Sequence, residues 1–126
     1  MASDNKVQSE GPVLPKSVKI GAQVFNIEER DPKKDGMLND GSYGYTLDGK
    51  NLIVVDSTIH ITKKQVTLLH EIMHAARMVW ENPTSKPGKT AGHDDWEHYF
   101  IGVWETSLLL IMRENPKLME WLLKTS

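Results

Sequence analysis

Two histidines four residues apart enclose a glutamate in His70-Glu71-Ile72-Met73-His74, an H-E-x-x-H pattern. Side chains four apart on a helix share one face about one turn apart, so both imidazoles can reach one metal ion. Glu71 projects about 100° around the helix from His70. It would stand beside such a metal without ligating it, where a general base for a metal-activated water belongs. A shuffled chain of this composition would contain the pattern roughly 0.014 times. The plainer alternative is two surface histidines on an amphipathic helix.

A catalytic zinc usually takes three protein ligands and keeps one position for water. The residues after the pattern, Ala75-Ala76-Arg77-Met78-Val79-Trp80, hold neither a glycine nor a third histidine. The third ligand is therefore sought on the next helix, where His93, Glu97 and His98 compete. At about 100° per residue, Glu97 shares a face with Ile101, Trp104, Leu108 and Ile111 and should point inward. A carboxylate there is costly unless paired or metal-bound. Glu97 ranks first on that argument, His98 second and His93 third. An ion pair with a core-facing Lys or Arg is the plainer alternative for Glu97.

Weaker candidates surround these. Tyr43, Tyr45, His93, His98 and Tyr99 could each polarise a carbonyl or stabilise an oxyanion, although packing explains each tyrosine taken singly. His60 reads as an ordinary loop histidine, and Lys63-Lys64 as a solvated helix start. Trp80, Trp96, Trp104 and Trp121 read as packing residues.

The elements that must position these groups follow from period and punctuation. Residues 1–16 are polar with scattered Gly and Pro and read as a flexible tail, leaving 17–126 as one domain. Val18 to Glu29, around Gly21-Ala22, reads as a hairpin or two short strands. Asp31 to Ser42 reads as a loop, and Tyr43 to Val55 as strand, Asp48-Gly49 turn, strand. Thr62 and Gln65 fit a capping box opening a helix along Val66, Leu69, Ile72, Met73, Ala76 and Trp80, ended by Pro83. A loop from Asn82 to Gly92 precedes a second helix from Asp94 or Asp95 to Glu114. Asn115-Pro116 then caps a short final helix to about Leu123. The sheet expected from these strands is short and antiparallel, in an α+β domain with two main helices.

Composition narrows the classes. The chain has 126 residues, 39% hydrophobic and 25% charged, with net charge -2. That suits one globular domain and argues against a strongly basic nucleic-acid or membrane-surface binder. With no cysteine, any zinc here is held by nitrogen and oxygen. No run approaches the ~18 apolar residues of a membrane span, and the N-terminus lacks a secretory apolar stretch, so a cytoplasmic location is expected.

The chain resembles the small zinc metallopeptidase-like proteins of phages and prophages related to the ImmA/IrrE-type gluzincins. Ile53-Val54-Val55-Asp56 leading into Thr67-Leu68-Leu69-His70-Glu71-Ile72-Met73-His74-Ala75 carries the resemblance, with the closing Arg113-Glu114-Asn115-Pro116. It covers about residues 17–123. The resemblance implies a compact zincin core whose zinc site is completed by a Glu early in the following helix. Related sequences tend to have two consecutive acidic residues there, matching Glu97 and His98, of which the second departs.

The combined expectation is a zincin-like domain holding one Zn²⁺ through His70, His74 and Glu97. Glu71 would act as general base in hydrolysis of a peptide bond. The substrate would be a peptide or protein, a phage repressor among the candidates, in the host-cell cytoplasm if the chain is phage-encoded. Neither nucleic acid nor membrane is an expected partner. A zinc-stabilised binding module without catalysis and a phage regulatory factor are the alternatives.

Overall fold

The computed structural model describes residues 13–81 and 86–125. Most of the expected tail and Pro83 lie outside the described residues. The elements are β1 (Ser17–Ile20), β2 (Gln23–Arg30), β3 (Gly44–Leu47), β4 (Leu52–Asp56), α1 (Ile61–Trp80), α2 (His93–Glu114) and α3 (Pro116–Leu122). Together they make an α+β fold, a four-stranded sheet followed by three helices.

The sheet has the order β1-β2-β4-β3 and is mixed rather than antiparallel. β1 and β2 form the expected hairpin, closed by Gly21-Ala22 with Gly21 at φ +63°. A left-handed glycine in the first loop position matches the twist of the flanking strands. β4 pairs in parallel with β2 and antiparallel with β3. The loop after β2 carries the chain to the far edge, so the β3–β4 hairpin enters with β4 inside. The β3–β4 connection is a 3₁₀ turn over Asp48–Lys50, and the left-handed residue is Asn51 (φ 47°), not Gly49.

Alternation decides which side chains meet the helices. Val18, Ile20, Phe25, Ile27, Ile53 and Val55 join the core with Leu68, Ile72, Ala75 and Ala76 of α1. Val54 is also fully buried, so β4 is covered on both faces. Its cross-strand partner Tyr45 belongs to the opposite face, where its hydroxyl donates to Asp35 Oδ2 at 2.6 Å. Arg30 donates to the same hydroxyl at 3.0 Å, tying loop and sheet together.

Two helix starts differ from expectation. The N-cap of α1 is His60, whose Nδ1 accepts from the Thr62 amide at 3.3 Å. Gln65 does no capping; its amide donates to the carbonyls of Trp121 and Lys124 and moors the α3 end. α2 starts at His93, where Asp95 accepts from the Gly92 amide at 3.1 Å. Pro116 opens α3 as expected, while the Asn115 side chain reaches β1 instead of capping that helix. Among the described residues no helix is long and apolar enough to cross a membrane.

Candidate metal centre

The H-E-x-x-H stretch lies in α1, and its chemistry follows from how that helix meets β3. The inward stripe of α1 is Leu68, Ile72, Ala75 and Ala76; Val66 and Leu69, expected inward, are exposed. The helix is turned so that Thr67 and Glu71 face β3. A Cβ on Gly44 would stand 2.7 Å from Thr67 Cγ2, 2.8 Å from the Val54 carbonyl and 3.4 Å from Glu71 Cγ. Only glycine permits that approach. Its position inside a strand pattern was the signal available in the sequence.

Glu71 is 6% exposed. Its Oε1 accepts from the Thr46 hydroxyl at 2.7 Å, and that hydroxyl also lies 3.2 Å from the Glu71 carbonyl. Oε2 stands 4.0 Å from His70 Nε2. Thr46 did not figure among the sequence candidates, because nothing local marks a threonine on β3 as facing a helix glutamate.

His70 and His74 sit on the outer border of α1, both exposed. Their Nε2 atoms meet at 3.1 Å with the rings edge to face, 75° between planes. Two nitrogens bound to one zinc at ~2.0–2.1 Å with a tetrahedral angle stand ~3.3 Å apart. The two imidazoles are within hydrogen-bond distance of each other here, and their spacing is also that of two ligands of one nitrogen–oxygen zinc site.

The third position is different. Glu97 is exposed, and the buried residues of α2 are Tyr99, Val103, Ser107 and Ile111. The expected inward face through Glu97 and Ile101 is thus corrected; Ile101 is 51% exposed. Ser107, fully buried, is satisfied by the Val103 carbonyl at 2.6 Å and brings a small residue to the helix contact. Apolar residues circle α2 from Ile101 to Met112, so their period did not single out this face. Among the described residues no group of three His, Asp or Glu side chains converges on a metal-sized site. His93 and His98 are exposed as well.

A cavity of about 310 Å³ opens beside the pair, between Tyr43, Gly44, Lys63, Val66, His70 and Glu71. A larger one, about 860 Å³, lies between residues 13–17 and the start of α3, away from the histidines. Of the tyrosine candidates only Tyr43 lines the cavity at the site. Tyr45 belongs to the Arg30–Asp35 cluster, and Tyr99 is buried on α2. Burial raises the Tyr99 pKa above its ordinary value, with the charge of Glu81 adding to the rise.

No protein-family model matches the chain, and comparison with curated proteins and with solved structures gave no match.

Proposed function

We propose that the chain is a zinc-dependent metallopeptidase acting through His70, His74 and Glu71. The observation that supports this most is the meeting of two imidazole Nε2 atoms at 3.1 Å beside a buried carboxylate. The resemblance to ImmA/IrrE-type gluzincins, and with it a zincin-like core, points the same way. His70 and His74 would hold the ion. Glu97 is the proposed third ligand, which requires the first half of α2 to lie closer to the pair than it does here.

When bound, zinc supplies a water acidified to a pKa of ~7 and a Lewis acid for a carbonyl oxygen. Glu71 does the proton work. Thr46 occupies Oε1, so Oε2 on the His70 side is the atom that would take a proton from a water placed beside the amide carbon. The same carboxyl then delivers that proton to the departing nitrogen as the C–N bond breaks. β3 is an edge strand beside Glu71, so its free backbone can take an extended peptide by strand addition. A phage repressor in the host-cell cytoplasm is the substrate candidate that follows from the resemblance.

The second reading is a binding module in which zinc serves shape and Glu71 is idle. The separation of Glu97 from the histidine pair favours it. Metal analysis of chelator-free protein tests the shared premise, with about one zinc per chain expected; a content below about 0.3 overturns both readings. Glu71→Gln then separates them. A peptidase keeps its zinc and loses turnover, whereas a binding module keeps its partner.

A further inference from the structure

We propose that the cavity beside His70 is a specificity pocket in which Lys63 receives a carboxylate of the bound peptide. This rests on the peptidase reading for what the peptide does there, and on the pocket alone for why a carboxylate is selected. Lys63 lies two helical turns before the H-E-x-x-H stretch, on the same open side of α1. Its ammonium stands 4.5 Å from the centre of the Tyr43 ring, and Tyr43 is 47% exposed at the rim.

The charges around Lys63 are what single it out. The first turn of α1 contains no acidic residue, so no carboxylate of that turn pairs with the lysine. Its neighbour Lys64 is paired with Glu29 at 2.6 Å. Lys63 forms no ion pair among the described residues, and its contact is with the ring of Tyr43. The ring orients the cation over the cavity without cancelling its charge. Lys63 is exposed at the helix start, as expected from sequence, and its ring contact sets it at the cavity with no ion-pair partner among the described residues.

Glu71 carries the opposite charge in the same cavity, so the place of the incoming carboxylate is constrained. Eight residues separate Lys63 from Glu71, about 12 Å along a helix axis. An extended peptide covers about 3.3 Å per residue. A carboxylate on Lys63 thus sits about two to four residues from a bond held at Glu71, beyond strong repulsion. Val66, 59% exposed, adds an apolar wall along that path. Either an Asp or Glu side chain or a peptide's terminal carboxylate meets these requirements.

Fluorescence anisotropy with four labelled octapeptides on the 126-residue Glu71→Gln protein, with and without zinc, tests this. One peptide carries Glu and a C-terminal amide, one Gln and an amide, one Gln and a free C-terminus, and one Lys and an amide. At least one carboxylate peptide should bind about three- to fivefold tighter than the Gln amide. Comparison of the first and third peptides tells side chain from terminus. Lys63→Met should erase the preference, Lys63→Arg should keep it, and Lys63→Glu should favour the Lys peptide. Equal affinities, a preference that survives Lys63→Met, or no binding at all overturns the proposal. A charge preference with no cleavage by the native protein overturns only the peptidase reading; cleavage with no preference overturns only this one.

Discussion

Thr46 holds Glu71 across the boundary between sheet and helix, hydroxyl to Oε1 at 2.7 Å. A carboxylate this buried needs a donor, since leaving a buried polar group unpaired costs about 1–3 kcal/mol. Thr46→Val keeps the shape and deletes the donor, so urea unfolding should show a loss of about 1–3 kcal/mol. Thr46→Ser restores the hydroxyl and should recover most of it. A valine variant as stable as the native chain would mean that the hydrogen bond is dispensable.

Gly44 makes that contact possible, and its substitution should be felt at once. In Gly44→Ala the added methyl meets Thr67 and the Val54 carbonyl below 3.0 Å, and the carbonyl belongs to the central strand. Separation of α1 from β3 should cost about 1–3 kcal/mol, the usual range for overpacking. Adding Thr67→Ser to Gly44→Ala removes one of the two clashes, so the double variant should unfold at higher urea than Gly44→Ala alone.

The Arg30–Asp35–Tyr45 cluster gives the fold a pH dependence with a definite sign. The Tyr45 hydroxyl, then the Met37 amide and Arg30, hold the Asp35 carboxyl below its ordinary 3.8 against the opposing effect of burial. The native state therefore binds the Asp35 proton more weakly than the unfolded chain. Its stabilisation is complete above the ordinary aspartate value and is lost as pH falls through the lowered native one. Tyr45 runs the other way. Burial, then the bond to Asp35, raises its pKa above 10.0, so its contribution is lost as pH rises through that raised value. Tyr45→Phe should flatten both limbs of a stability-against-pH curve measured by urea unfolding, and unchanged limbs would exclude the cluster as their source.

Asn115 ties the end of α2 to β1, an edge strand. Its Oδ1 accepts from the Lys19 amide at 2.7 Å, and its Nδ2 donates to the carbonyls of Lys19 and Ile111, both at 2.9 Å. The side-chain amide thus pairs with β1 as a neighbouring strand would. Asn115→Ala should cost about 2 kcal/mol and expose an edge prone to association. Asn115→Asp keeps the acceptor but places an oxygen against two carbonyls, so it should be no more stable than the alanine variant. Light scattering alongside unfolding separates the two effects.

Much of this architecture could be read from residue order, for identifiable reasons. Gly21-Ala22 between alternating Val18, Ile20, Phe25 and Ile27 leaves little but a hairpin. Pro116 after Asn115 marks a new helix wherever the chain goes. Where two arrangements bury the same residues, local pattern stops deciding. β4 reads the same whether its inner neighbour is parallel or antiparallel, and only the long loop through Leu38 settles which. On α1, Val66 and Leu69 fit a helical stripe as well as Leu68 and Ala75 do. The close approach at Gly44 selects between them. His70, Glu71 and His74 were legible because covalent spacing alone brings them together, whereas Thr46 depends on strand register.

Glu97 and His98 remain to be separated by experiment, since both are exposed and adjacent at the start of α2. If Glu97 closes the zinc site, Glu97→Ala should weaken zinc at least as much as loss of a supporting partner does, about tenfold or more. His98→Ala should leave zinc affinity unchanged. Competition with a chromogenic chelator measures both without any substrate. His70→Ala and His74→Ala set the scale, because each removes a nitrogen of the pair that meets at 3.1 Å. Should His98→Ala release zinc while Glu97→Ala retains it, the ligand assignment reverses. Retention by both variants would leave a two-histidine site, which fits the non-catalytic reading because neither residue of α2 then reaches the ion.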